Sequence, residues 1–281
     1  MKIGVSARVS SRSLDVAQVA QKAEALGFES LWLPEHGVMP VHVTTRYQGS
    51  ADGRIPASMS DIGDPFIGLA RASAVTKNIK LGTGICLVPE RNPLQLAKEI
   101  ATLDQLSGGR FLFGIGAGWL REETEIMGGN FAHRWGQTRE AILVMKELWS
   151  KDAAEFHGQF YNFPPVKSLP KPAQQPHPPI YLGGSAANVF KRVAEWGDGW
   201  MPTRATPDDI KRGRATLDEL ARAAGRNPRA IEITIYGEES DPELLKRYAD
   251  AGADRAIVRP PTTEGEAALT GLERIAERVL A

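Results

Sequence analysis

Glu35 and His36 stand side by side, and they are the pair in this chain best suited to moving a proton. An imidazole with an ordinary pKa of about 6.5 can give or take a proton at neutral pH. The bland alternative is a polar pair satisfied at a strand end. Gly183-Gly184-Ser185 lies between an apolar extended run and a helical one. Exposed backbone N–H groups at such a turn attract an anion, and glycine lets a ligand come close. The alternative is a tight turn. Leu81–Cys86 and Gly114–Trp119 each place glycines in or just after an extended run. Gly82 and Gly84 imply a bulge or a flat ligand close to the backbone. Gly114, Gly116 and Gly118 repeat the pattern, leaving room for a planar ring that Ala117, Gly118 and Trp119 would border. The alternative is taper filling inside a barrel. Arg134, Trp135 and Arg139 open a helix and would meet a cofactor or cap the segment before them.

Other chemistries are absent from the pattern. Gly114–Trp119 has tryptophan where a dinucleotide fingerprint needs glycine, and no GxxxxGK[ST] loop occurs. The five histidines, His36, His42, His133, His157 and His177, show no metal-ligating spacing. Gly183–Ala187 approaches the GxSxG nucleophile elbow, but Ala187 replaces its last glycine. No histidine follows Ser185 to serve as its base.

The elements that must position these residues alternate. Extended runs near residues 3, 31, 82, 113, 181, 201, 233 and 257 are each followed by a helical segment. Eight such units in a chain of 281 residues predict an α/β (β/α)₈ TIM barrel forming one domain over residues 1–281. An open doubly wound sheet is the structural runner-up. Ser13 is expected to cap the first helix, Gly27 to end it, and Asp64-Pro65 and Asn92-Pro93 to open two more. Gly37–Gly63 and Trp119–Arg134 are insertions after strands 2 and 4, at the end where barrels carry active sites. A third insertion before strand 5 combines a hairpin at 156–161 with seven prolines between Pro164 and Pro179. Arg110 falls at the opposite end, where a structural ion pair is expected, and Trp196 and Trp200 should pack at a joint.

Composition narrows the partners. Lys plus Arg total 34 and Asp plus Glu total 34, so net charge gives no pull toward nucleic acid or membrane surfaces. One cysteine, Cys86, excludes an internal disulfide framework. The apolar run Phe111–Leu120 is ten residues long, where a spanning helix needs about 20. Arg8 and Arg12 interrupt the place of an apolar leader. The expectation is a soluble cytoplasmic protein.

In this order the sequence resembles the luciferase-like monooxygenase superfamily, and within it the F420-dependent oxidoreductase branch. The resemblance rests on Ala25–Trp32 with Glu35-His36, Arg91-Asn92-Pro93, Ala101–Arg110, Gly114–Glu123, Pro178–Gly184 and Gly197–Trp200. It implies a barrel, usually dimeric, holding coenzyme F420 or FMN at its C-terminal rim. It further implies a bulge at Gly84, Ile85 and Cys86, often with a non-prolyl cis peptide, backing the ring. Glu35 and His36 would lie by the ring as catalytic residues, and Gly183, Gly184 and Ser185 would bind the cofactor phosphate. In the sugar-phosphate dehydrogenases of this branch a Glu follows the Gly-x-Gly-x-Gly run as proton donor. Here Trp119 stands there, and Glu122 and Glu123 come a helical turn later. The function implied is hydride transfer between F420 and a small organic substrate. The alternatives are an FMN-dependent monooxygenase using O₂ and a non-catalytic flavin- or F420-binding protein. A homodimer is expected, with no metal, nucleic-acid or membrane partner.

Overall fold

The computed structural model describes residues 1–186 and 188–280. Ala187, the departure from the elbow motif, lies outside the described residues. Eight parallel strands close on themselves: β1 Lys2–Ser6, β2 Ser30–Leu33, β3 Lys80–Thr83, β4 Phe111–Gly116, β5 Ile180–Gly183, β6 Gly199–Met201, β7 Glu232–Glu238 and β8 Arg255–Val258. β1 pairs with β8 and with β2, and the β3–β4 pairing (Leu81 opposite Phe111) completes the ring. All eight expected strands are present and the barrel is closed, which removes the open-sheet alternative.

The helices are α1 Val16–Leu26, α2 Pro65–Ser73, α3 Pro93–Leu106, α4 Arg121–Ile126, α5 Arg134–Ser150, α6 Val189–Trp196, α7 Pro207–Ala223, α8 Pro242–Asp250 and α9 Ala267–Val279. Asp64 and Asn92 cap α2 and α3 with Pro at the first turn, and Gly27 ends α1 at φ 90°, as the sequence predicts. The α1 cap is Asp15 rather than Ser13, because its carboxylate accepts from the Ala17 N–H at 3.0 Å. The hairpin is formed by Ala154–His157 and Asn162–Val166.

Side chains leaving each strand alternately meet two cores. The outer one joins strands to helices through residues such as Leu31, Leu81, Phe111, Phe113 and Ile233. The inner one fills the barrel with Trp32, Leu112, Tyr181, Met201 and Ile257. Glycines make that inner core possible. A Cβ on Gly82 would lie 2.2 Å from the Trp32 ring, and one on Gly199 would lie 2.4 Å from Tyr181. The ring space expected at Gly82 and Gly114 is therefore occupied by the barrel's own side chains and backbone.

At the floor, Arg255 is 2% exposed. It donates to Glu29 at 2.8 and 2.9 Å, to Glu232 at 3.1 Å and to Thr234 at 3.0 Å. Burial alone would raise the Glu232 carboxyl, but Arg255, with Lys2 and Tyr181, draws it down to about 2. Among the described residues Arg110 makes no ion pair, contrary to expectation. Buried under the end of α2, it donates to the carbonyls of Ser73, Thr76, Ile79 and Ser107, where the helix dipole favours a cation. Trp196 and Trp200 are buried as expected.

A Cβ on Gly114 would sit 2.0 Å from the Thr83 carbonyl oxygen, a backbone atom that cannot step aside. Gly114→Ala should therefore destabilise the fold by about 3 kcal/mol or more. Gly108→Ala, at φ 67° with open space around it, should lose only about 1 kcal/mol. Urea melts of the two variants test this ordering, and equal losses would refute the close approach of β3 and β4.

Candidate active site at the barrel rim

The chain leaves β2 at Leu33 and reaches the rim with Glu35 and His36. The two adjacent side chains go to different places. The Glu35 carboxylate accepts from the Leu87 N–H at 2.6 Å and from Arg91 Nε at 2.7 Å. Arg91 also donates to Asp64 at 2.5 Å. Glu35 thus ties the post-β2 loop to the segment after β3 and to the start of α3. With its oxygens engaged in a charged network, it is poorly placed to exchange protons with a ligand.

His36 faces the rim. Its Nδ1 lies 2.7 Å from Glu123 Oε2, while Glu123 Oε1 accepts the Gly37 N–H at 2.8 Å. The two side chains are 10% and 1% exposed. A carboxylate can only accept, so Nδ1 carries a proton, and in the neutral imidazole the lone pair lies on Nε2. Glu123 was set a helical turn away by the spacing, yet it reaches. Gly118 explains this. It adopts φ 79° and turns the chain back, so that α4 begins at Arg121 and presents Glu123 to His36.

Beneath this pair lies a second carboxyl, Glu90, which sequence reasoning missed. It is 6% exposed. Its Oε1 accepts from Thr124 Oγ1 at 2.9 Å, and its Oε2 has no partner among the described residues. Burial, then the charge of Glu123, pushes it up to about 8. It is a neutral acid at pH 7. Nothing in the pattern Val88-Pro89-Glu90 announces this, because the cause is a neighbour 33 positions on.

The ring-seat residues separate into backbone and side-chain contributors. The Gly84–Ile85 peptide is cis, at the position the resemblance implied. Ile85 is half-buried, and its Cδ1 lies where a Cβ on Gly116 would be, at 1.8 Å. A Cβ on Gly183 would lie 3.5 Å from the same side chain. Gly84 is roofed by Tyr236, whose ring a Cβ would meet at 2.3 Å. Cys86 is fully buried in the outer core, where burial and then Glu35 push its thiol well up. It can meet a ligand through its backbone alone. Ala117 is buried, and Trp119 is half-buried between His36 and Tyr47, at 6.0 and 5.1 Å between ring centres.

Gly183 ends β5, and Gly184 and Ser185 follow it. Gly184 has φ 100° and open space where a Cβ would stand, and Gly184, Ser185 and Ala186 are exposed. The Trp200 indole N–H donates to the Gly184 carbonyl at 2.8 Å and fixes the turn from below.

The insertion after β2 crosses this rim. The Thr44 and Thr45 hydroxyls donate to Glu122 at 2.7 and 2.8 Å. Tyr47 lies against Trp119, and Arg204 donates to the Gln48 carbonyl at 2.5 Å. Among the described residues no group of three or more His, Cys, Asp or Glu side chains could hold a metal ion. No helix among them is long and apolar enough to cross a membrane.

Glu90 has a pH signature of its own. Its folded pKa lies above the unfolded one of about 4.5, so the folded state holds the extra proton and the burial of Glu90 becomes unfavourable as pH rises from about 4.5 to about 8. Glu90→Gln, which mimics the neutral acid, should leave the melting temperature nearly unchanged at pH 5 and raise it by about 2–5 °C at pH 8. Thermal melts at the two pH values decide this. An equal effect at both would mean that Glu90 is not neutral in the fold.

Comparison with known proteins agrees with this architecture. The sequence profile of the family described as luciferase-like monooxygenase matches residues 3–261. An uncharacterized protein of Mycobacterium tuberculosis is 33% identical over 284 residues, covering 99% of both chains. The F420-dependent glucose-6-phosphate dehydrogenase of Kineococcus radiotolerans is 30% identical, over 82% of this chain and 66% of its own. The FMNH₂-dependent dimethylsulfone monooxygenase of Pseudomonas putida is 32% identical, over 69% and 57% respectively. Among solved structures, the monooxygenase RslO1 of Streptomyces bottropensis superimposes with a TM-score of 0.80 at 20% identity, over 100% of this chain and 99% of its own. The chain belongs to the luciferase-like monooxygenase family, a family of oxidoreductases and monooxygenases.

Proposed function

We propose that this protein is an F420-dependent oxidoreductase acting on a small organic substrate. The observation that carries the reading is the His36–Glu123 pair at the rim: a histidine with one nitrogen fixed by a buried carboxylate and the other left with a lone pair. The Kineococcus relative, similar over 82% of the chain, supports the cofactor choice. The residues fit such a group. Ile85, framed by Gly116 and Gly183, offers a seat of low profile, and the open turn at Gly184-Ser185 offers N–H groups to a phosphate.

When bound, the deazaflavin supplies a carbon that can give or take a hydride. Gly84, Ile85 and the Cys86 backbone would back the ring, and Ala117, Gly118 and Trp119 would wall it. Gly183, Gly184 and Ser185 would hold the phosphate. His36 Nε2 supplies or accepts the proton that accompanies reduction or oxidation of the substrate. Glu123 holds the Nδ1 proton and stabilises the imidazolium when it forms. Glu35 acts as a positioning residue, holding the bulge to Arg91. Tyr47 and Trp119, brought together by the insertion, keep water from the proton-transfer site.

Titration of purified protein with oxidised F420 and, separately, FMN tests the cofactor. Tight F420 binding with weak FMN binding is expected. The reverse would replace this reading with an O₂-using monooxygenase, as the name of the Pseudomonas relative suggests. With the cofactor known, His36→Ala should reduce turnover by about 10²–10⁴-fold while cofactor affinity stays within a few-fold. Glu123→Gln should lose about 10–100-fold, because the imidazole keeps its place but not its fixed proton. Unchanged turnover in His36→Ala would remove it from the mechanism, and cofactor binding with no turnover of any substrate would favour a non-catalytic role.

A further inference from the structure

Five helices of the barrel begin with a side-chain cap, from Asp15, Asp64, Asn92, Thr206 and Asp241. The neighbouring helices α5 and α6 do not, nor do α4 and α9. The caps of α5 and α6, His133 and Asn188, make no side-chain bond, and neither first turn holds an acidic residue. Both helices follow strands β4 and β5, so both point their positive ends at the rim. Each carries an arginine there. Arg134 is the first residue of α5 and Arg192 lies in the first turn of α6.

These cations are held but not neutralised. Arg192 lies over the Trp135 ring at 4.3 Å, which links the two helix ends. Arg134 lies over Phe131 at 4.0 Å and donates to the Phe131 carbonyl at 2.9 Å. Arg121 stacks on the same ring at 4.5 Å, with Glu125 as its ion-pair partner at 3.2 Å. Neither Arg134 nor Arg192 pairs with a carboxylate among the described residues, and Arg134 Nε and Arg192 Nη1 are buried without any acceptor. Burial and then a neighbouring cation disfavour the charge on each. Two like charges and two dipole ends of the same sign together call for an anion that no described residue supplies.

We propose that Arg134 and Arg192 form a second anion subsite, beside the Gly183-Gly184-Ser185 turn, that takes carboxylates attached beyond the cofactor phosphate. This rests on the cofactor reading above and sharpens it. FMN ends at its phosphate. F420 continues from a phosphodiester into a lactyl chain of glutamates. A planar guanidinium propped on an aromatic ring presents paired donors to a carboxylate with little loss of freedom. The subsite therefore selects the longer anion.

The test uses the full-length protein and three ligands: F420, the same deazaflavin truncated before its phosphate, and FMN. Dissociation constants come from fluorescence at 25 and 250 mM salt. Wild-type affinity for F420 should fall more steeply with salt than affinity for FMN, a measurement that needs no variant. Arg134→Gln with Arg192→Gln should weaken F420 about tenfold or more, flatten its salt dependence, and leave the other two ligands within about twofold. Arg134→Lys with Arg192→Lys should retain the salt dependence and recover part of the affinity. Unchanged F420 affinity in the Gln variant overturns the subsite alone, as does an equal loss for FMN, which would put the arginines on the phosphate itself. Wild-type protein that binds no F420 overturns the cofactor reading and the subsite with it.

Discussion

A single buried guanidinium organises the base of this barrel. Arg255 needs Glu29, Glu232 and Thr234 around it at once, and these stand at the starts of β2 and β7. Burying a charge is unfavourable unless it is fully paired, so the interaction holds only when strands distant in sequence arrive in register. Tyr181, from β5, donates to Glu232 at 2.6 Å and extends the same requirement across the barrel. The inner core then stacks on this floor, with Trp32 and Tyr181 meeting edge to face. The floor and the filling close the barrel's interior below the rim.

At the rim, geometry separates two neighbours that sequence joins. Glu35 is drawn into an ion pair and becomes part of the frame. His36 is taken up by Glu123 and becomes available for chemistry. One glycine decides the second assignment. Gly118 reverses the chain, and a Cβ there would meet Thr124 Oγ1 at 2.8 Å and Glu90 Oε1 at 3.1 Å. The same reversal places Glu123 beside Glu90, and that proximity, added to burial, keeps Glu90 neutral.

The barrel was legible because alternation of helical and extended periods is a local property. Caps such as Asp64-Pro65 and Asn92-Pro93, and the C-terminal Gly27, are local as well, and they hold. The site was legible only in outline. Glu35, His36 and the glycine turns lie where strand ends predict, but their partners are set by chain reversal. Spacing sets Glu123 a helical turn beyond the glycine run and takes no account of φ 79° at Gly118, which brings it back to His36. The glycines on β3 and β4 were legible as gaps and not as gaps already filled, since Trp32, Ile85 and Tyr236 come from other parts of the chain. Arg110 illustrates the same limit. Its burial is a property of the barrel's lower end, but its carbonyl partners depend on where α2 stops.

The filled interior and sealed floor make the barrel a vessel with one mouth. On the proposed function, cofactor and substrate would share that opening, beneath the strap formed by residues 37–63. For two molecules stacked in such a vessel, the one seated deeper is the first to enter and the last to leave. On that reading, order of addition would be a property of the architecture, set by the filling around Trp32, Tyr181 and Arg255.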